Sequence, residues 1–193
     1  MLLITTESTI DIGGRSMEPK SIDDRMKARI QLVEEHIRFE NLHNLDGILG
    51  TFGPDARYDD EPWGDHRVGR DQVHLYYEQL LIAAPDLQIE VRHRYATDEA
   101  VILEVTISGT HMGAWRGLPA TGKSISFPLC GIFTFDQEDR LLGEKIYYDR
   151  ATVFRQLGVF REPITVLGRL LTAINHPLTI AQAFALKLRG RGN

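Results

Sequence analysis

The sequence predicts an α+β fold in which an antiparallel sheet folds over helices that precede it. Three observations carry this expectation. Apolar residues recur at helical spacing at Met26, Ile30, Val33 and Ile37, and again at Val73, Tyr76, Tyr77, Leu80, Leu81 and Ala84. After Pro85 the period drops to two: Ile89, Val91, His93 and Tyr95 alternate with Gln88, Glu90, Arg92 and Arg94. Strand-like segments then follow one another without an intervening helix, so the order is not βαβ.

Residues 1–20 are polar, carry Gly13, Gly14 and Pro19, and read as a flexible arm. The arm lacks a basic start and a long apolar run, so no secretory signal is expected, and a cytoplasmic placement is expected. Asp23 or Asp24 stands where the first helix needs a cap. A short helix around Leu45–Phe52 stops at Gly53-Pro54, and a brief strand, Ala56–Asp59, enters the acidic turn DDEPWGD. A helix over 70–84 precedes strands at 88–95, AVILEVTISG, SISFPLCGIFTF and LLGEKIYYD. A short helix, RATVFRQLG, ends at Gly158. The body thus spans 21–160. Residues 161–193 form a helical extension broken at His176-Pro177, because proline disfavours helix in the residue before it. Ile164, Leu167, Leu171 and Ile174 make a stripe expected to dock on the body or on a second subunit.

Bulk composition narrows the function classes. With 193 residues the chain is long enough for one well-cored domain. Its net charge of −5 gives no electrostatic reason to bind nucleic acid. Cys130 is the only cysteine, which excludes an internal disulfide and a thiolate zinc cluster. It sits in an apolar strand and reads as an inert core thiol. His66, His74 and the acidic turn lack a recognisable ligand spacing, so no metal is expected. No stretch approaches the roughly 18 apolar residues of a membrane span, and the tail is weakly basic for a membrane surface.

Gly117–Ser124, GLPATGKS, matches the phosphate-cradling pattern G-x-x-x-x-G-K-[ST]. That loop works only where its Lys-Ser pair opens a helix whose N-terminus faces the anion. Here the next residues are ISFPLCGIFTF, rich in β-branched and aromatic side chains and interrupted by proline. The expectation is a hairpin connection whose Gly117, Pro119 and Gly122 serve turns, and no nucleotide site.

The stretch GTHMGAWRGLPATGKSISFPLCGIFTF, followed by YYDRATVFRQLG, resembles the SnoaL-like polyketide cyclases and their ester cyclase relatives, within the ketosteroid-isomerase and nuclear-transport-factor superfamily. The residues that carry it are Gly109-Thr110-His111, Gly113, the turn Gly117 to Lys123, Asp149 and Gln156-Leu157-Gly158. YDDEPWGDHRVGRDQV adds the superfamily's acidic-Pro turn before Gly-Arg and a helix. The resemblance covers roughly residues 25–160. It implies a cone-shaped α+β barrel around one apolar pocket, usually in a homodimer. It also implies acid–base catalysis without metal or organic cofactor. The last strand departs from many relatives, with EKIYYD in place of a His-Trp pair before the aspartate.

Acid–base chemistry beside a carbonyl needs a carboxylate tuned by apolar surroundings and a donor for the enolate oxygen. Asp149 matches the aspartate before the QLG helix, and it also stands where that helix needs an N-cap. Asp60 matches the turn that holds the base in ketosteroid isomerases, or is a solvated turn residue. His93 shares the apolar face of its strand, as a catalytic or a core histidine. Tyr58, Trp63, His111, Trp115 and Tyr147 are the candidate substrate contacts, His111 and Trp115 through a connection able to close over the pocket mouth. The expected function is a cyclase or isomerase acting on an apolar carbonyl substrate. The alternatives are a non-catalytic binder of an apolar metabolite and an epoxide-hydrolase-like enzyme.

Overall fold

The computed structural model describes residues 22–189, so the arm expected over residues 1–20 lies outside it. Helix α1 (Ile22–Asn41) carries Asp23 and Asp24 in its first turn, where carboxylates suit the helix dipole. Helix α2 (Leu45–Thr51) is capped by the Asn44 side chain, which accepts from Gly47 N–H. Strand β1 (Phe52–Asp60) leads through a 3-10 turn, Glu61–Trp63, into β2 (Asp65–Val68). Helix α3 (Arg70–Ala83) is followed by β3 (Gln88–Ala96), β4 (Ala100–Thr110), β5 (Ser124–Phe135) and β6 (Leu141–Tyr148). Helices α4 (Arg150–Leu157), α5 (Val166–Asn175) and α6 (Pro177–Arg189) complete the described chain.

The strands form one curved sheet in the order β2-β1-β6-β5-β4-β3. Strands β3 to β6 are an antiparallel meander, as the uninterrupted strand pattern predicts. Two features differ from the expectation. The early strand β1 runs parallel to the last one, β6, and the sheet does not close, so β2 and β3 remain its edges. Parallel neighbours need a long connection between them. Here the whole of α3 and the meander supplies it.

The concave face buries Val101, Leu103, Val105 and Ile107 of β4 against Val33, Ile37, Val73 and Tyr77 of the helices. Alternation is kept along β4, but it breaks in β3. Val91 pairs with Val105, yet His93 pairs with Glu104, so one extra residue bulges between them. Beyond the bulge the faces are exchanged. His93 and Tyr95 stand opposite the outward residues Glu104 and Ile102, and Tyr95 is 51% exposed. The expected apolar face through His93 is therefore corrected: a period-two pattern cannot register an inserted residue. Cys130 likewise faces outward, paired with Glu104 and Tyr147, and is half-buried rather than a core thiol.

Ser124 opens strand β5, and no helix starts at Lys123. Gly117 and Gly122 take positive φ, +81° and +66°, as turn residues. Equilibrium dialysis with millimolar ATP or GTP is expected to show no binding, and retention of either nucleotide would overturn this.

The extension breaks where expected, between α5 ending at Asn175 and α6 starting at Pro177. Leu167 is 47% and Ile174 63% exposed on the single chain, so the stripe does not dock on the body, the first of its two expected partners. No helix among the described residues is long and apolar enough to cross a membrane.

Candidate active site

Between the concave sheet face and helices α1, α3 and α4 lies a cavity of about 120 Å³. Its wall is apolar, built by Leu80, Leu103, Val105, Ile107, Phe127, Leu129, Phe133, Ile146 and others. Few polar side chains interrupt it: Glu40, Tyr58, Tyr76, His111, Glu144 and Tyr148, with the indole of Trp115. An apolar pocket with a few convergent polar groups is the usual form of a small-molecule site.

Two of these groups are carboxylic acids in contact with one buried network. Glu40 comes from the inner face of α1, one turn after His36, and Glu144 from the inward row Glu144, Ile146, Tyr148 of β6. The Thr51 hydroxyl donates to Ile48 O at 2.6 Å, so it accepts from His36 Nδ1–H at 2.7 Å. The Tyr77 hydroxyl donates to Glu144 Oε2 at 2.5 Å, so it accepts from His36 Nε2–H at 3.1 Å. Both ring nitrogens then carry protons, and His36 is an imidazolium 3.4 Å from Glu144 Oε2. Burial works against that charge, but the Glu144 carboxylate supports it through its hydrogen bond and its charge, and Glu40 adds to this once it ionises, so the His36 pKa lies above its ordinary value. Glu40 is driven the other way. Burial, reinforced by the Glu144 charge, lifts its pKa to about 8, so it is protonated at neutral pH. Its Oε2 has no hydrogen-bond partner among the described residues, and His36 Nε2 stands 3.9 Å from it.

His36, Glu40 and Glu144 bring donor atoms within 4.8 Å of one another, a spacing that suits a metal ion. The Tyr77 hydroxyl, however, already bridges His36 and Glu144, which leaves Glu40 as the member without a hydrogen bond at Oε2. A second such group, Asp59, Glu61 and His66, is served by the Lys145 ammonium, 3.2 Å from Glu61 and 3.9 Å from Asp59.

A second network lies beside the cavity. Asp60 is fully buried, and its Oδ2 accepts from the Tyr76 hydroxyl at 3.1 Å and Arg116 Nη2 at 3.0 Å. Burial raises the Asp60 pKa against the pull of those two donors. Arg116 also donates to Asp65 Oδ2 at 2.5 Å, and its guanidinium sits 4.8 Å from the Trp115 ring and 5.4 Å from Trp63. Asp60 does not line the cavity; it holds Tyr76, which does.

The other expected residues divide cleanly. Tyr58, His111 and Trp115 line the cavity. Trp63 stands behind Tyr148, donating Nε1–H to its hydroxyl at 2.8 Å. Tyr147 is 45% exposed on the convex face, and His93 is also exposed. Asp149 is the N-cap of α4: it accepts from Ala151 N–H at 2.9 Å and Thr152 N–H at 3.2 Å. Its side chain is 58% exposed and outside the cavity wall, and the Thr152 hydroxyl with those amides lowers its pKa. A cap needs only an acceptor oxygen. Asp149→Asn is therefore expected to leave the melting temperature close to that of the parent and to keep turnover. A hundredfold loss of turnover in that variant would return Asp149 to the chemistry.

Sequence reasoning missed His36, Glu40, Tyr77, Arg116 and Glu144. The first two had a signal, since each is an ionisable group three residues after a stripe position, His36 after Val33 and Glu40 after Ile37. Glu144 had one too, in phase with Ile146 and Tyr148 on the inward row.

The model of the SnoaL-like polyketide cyclases matches residues 30–157. The chain belongs to that family. All of the cavity-lining residues fall inside the match. Among solved structures, a putative hydroxylase, AclR, from Streptomyces galilaeus is 26% identical, with a TM-score of 0.62 over 70% of this chain and 99% of that one. A putative SnoaL-like polyketide cyclase from Jannaschia sp. CCS1 is 15% identical, with a TM-score of 0.65 over 76% and 100%. SalBIII, an epoxide hydrolase/cyclase-like enzyme of pyran ring formation in salinomycin, is 21% identical, with a TM-score of 0.56 over 64% and 92%. The last two likenesses concern the SnoaL-like fold. No curated protein matches the chain in sequence.

Proposed function

We propose that this protein is a cyclase or isomerase that moves a proton beside a carbonyl of an apolar substrate, using no cofactor. The observation that carries the reading is the pair of carboxyl groups, Glu40 and Glu144, facing one apolar cavity, Glu144 accepting from the Tyr77 hydroxyl and Glu40 with no hydrogen bond at Oε2. Environments that push two carboxyl groups apart assign an acid and a base. Glu144, which accepts from Tyr77 beside the His36 imidazolium, is the base. Glu40, held protonated, is the acid.

In a cyclisation, Glu144 takes a proton from the carbon next to the carbonyl, and the C–H electron pair moves into the enolate. The enolate carbon bonds to a second carbonyl carbon of the same molecule, and the new alkoxide receives its proton from Glu40. The proton held by Glu144 then resets Glu40 through the Tyr77 hydroxyl, which bonds Glu144 and also interacts with the Glu40 carboxyl. In an isomerisation the abstracted proton returns to a different carbon of the enolate. The apolar wall keeps water from the enolate and strengthens both carboxyl contacts.

The test uses 2-tetralone, an apolar ketone with exchangeable protons beside its carbonyl. Proton NMR in deuterium oxide is expected to show enzyme-dependent loss of those signals above the buffer rate. Binding of the ketone with no acceleration of exchange would leave a binding protein and remove the catalytic reading.

A further inference from the structure

We propose that the Tyr148 hydroxyl is a second anchor in the cavity, donating to an acceptor oxygen on an elongated substrate at the end far from the carbonyl that Glu144 serves. The inference rests on the carbonyl-substrate reading above and deepens it by adding a second oxygen function to the same molecule. Glu144 and Tyr148 stand on the inward row of β6, and both line the cavity. Four residues of strand separate their Cα atoms by about 13 Å. A single carbonyl group does not span that distance, so the two side chains meet different parts of a ligand. Ile146, Phe127 and Leu129 make the wall around them apolar, which suits a hydrocarbon frame joining two oxygens.

The direction of the Tyr148 hydrogen bond follows from its partner. An indole N–H only donates, and Trp63 Nε1–H does so to the Tyr148 oxygen at 2.8 Å. The phenol proton is not used in that bond, and it has no acceptor among the described residues. Two other phenols of the wall are already engaged: Tyr76 gives its proton to Asp60 Oδ2, and Tyr58 bonds to Tyr76. Burial, with the Asp60 charge, holds the Tyr148 pKa above its ordinary value, so the proton stays on the oxygen at neutral pH. The Tyr148 ring packs against Phe127, centroids 5.2 Å apart, and Trp63 against Phe154 at 5.7 Å. The Arg150 and Arg116 guanidiniums lie 4.7 and 5.4 Å from the Trp63 ring. Positive charge beside the indole strengthens its N–H as a donor, and the bond it makes strengthens the Tyr148 O–H in turn. Trp63 is thus a positioning residue for Tyr148. Tyr147-Tyr148 replaces the pair that many relatives carry before the aspartate, so this phenol is a feature of this chain.

The test pairs 6-acetyl-2-tetralone, which carries a second carbonyl, with 6-isopropyl-2-tetralone, which has a similar shape without it. The chain has two tryptophans, so proton–nitrogen-15 spectra of the full chain show two indole signals, that of Trp63 assigned by its loss in Trp63→Phe. Trp63 lies behind Tyr148 and outside the cavity wall, so its signal reports donation by Tyr148. The acetyl compound is expected to move that signal to higher frequency, and the isopropyl compound to leave it in place. The infrared band of the bound acetyl carbonyl should fall in the parent, less in Trp63→Phe, and not at all in Tyr148→Phe. Tyr148→Phe should also weaken the acetyl compound about tenfold, the worth of one hydrogen bond, and leave the isopropyl compound unchanged. An unmoved Trp63 signal with the acetyl compound bound, or equal binding of it to the parent and to Tyr148→Phe, overturns the inference alone. If Tyr148→Phe does not fold, the Trp63 signal of the unaltered protein decides. Failure of both compounds to bind at millimolar concentration overturns the pocket reading and this inference with it. Deuterium exchange on 2-tetralone, which has no second oxygen, judges the proton-transfer reading separately.

Discussion

Glu144→Gln is expected to slow proton exchange on 2-tetralone by about a hundredfold or more, the usual worth of a general base. The amide still accepts the Tyr77 hydroxyl, so the hydrogen-bonded frame survives, but it cannot take a proton from carbon. The change also removes the counter-charge 3.4 Å from His36 Nε2, so the imidazolium loses its main partner and the His36 pKa falls. A melting curve and the exchange rate, measured together, separate the two effects. Native-like melting with full exchange would make Glu144 a buried structural acid and refute the mechanism. A folded variant with exchange reduced to the buffer rate is the expected result.

The second large effect is on stability, through Glu40. Its folded pKa of about 8 lies above the ordinary 4.5, so between those values the folded chain holds a proton that the unfolded chain has released. Folding stability therefore falls as pH rises through that window, and the loss is complete once pH passes the folded value. Burial is the leading cause and the Glu144 charge adds to it. Glu40→Gln replaces the protonated acid with a neutral group of similar shape and has no such dependence. At pH 5 the variant and the parent should melt together. By pH 9 the variant should be more stable by about 2–4 kcal/mol, an order of magnitude set by the size of the shift and tempered by its coupling to Glu144. Equal pH dependence in the two proteins would place an ordinary carboxylate at position 40.

Much of the frame was legible in order along the chain. Met26, Ile30, Val33 and Ile37 gave the first helix by their spacing, and the meander came from four consecutive strand patterns between Gln88 and Tyr148. Ser124 opens a strand because Ile125, Phe127, Ile132, Phe133, Thr134 and Phe135 are β-branched or aromatic, and that alone disposed of the phosphate loop. The hairpin motif pointed to the SnoaL-like family, and Tyr58, His111 and Trp115 do reach the cavity.

The site's acids were not read the same way. Asp149 was singled out by its place before the QLG helix, where an aspartate has a capping role whether or not it does chemistry. Glu40 and Glu144 lie 104 positions apart in number, and nothing local says that α1 and β6 bring them to one cavity. The protonation of Glu40 is set by its burial and by the Glu144 charge, and both are properties of the assembled fold. The same holds for His93, which a single bulged residue moved to the opposite face of the sheet.

By itself, then, the sequence determined which segments are helix and strand, because periodicity and turn chemistry act over a few neighbouring residues. It also determined the family, because the hairpin motif is continuous. The tertiary structure alone decided which ionisable groups share a desolvated space. The pKa of Glu40 and the charge on His36 depend on partners that fold in from distant segments, and solvation is set only once those segments have packed.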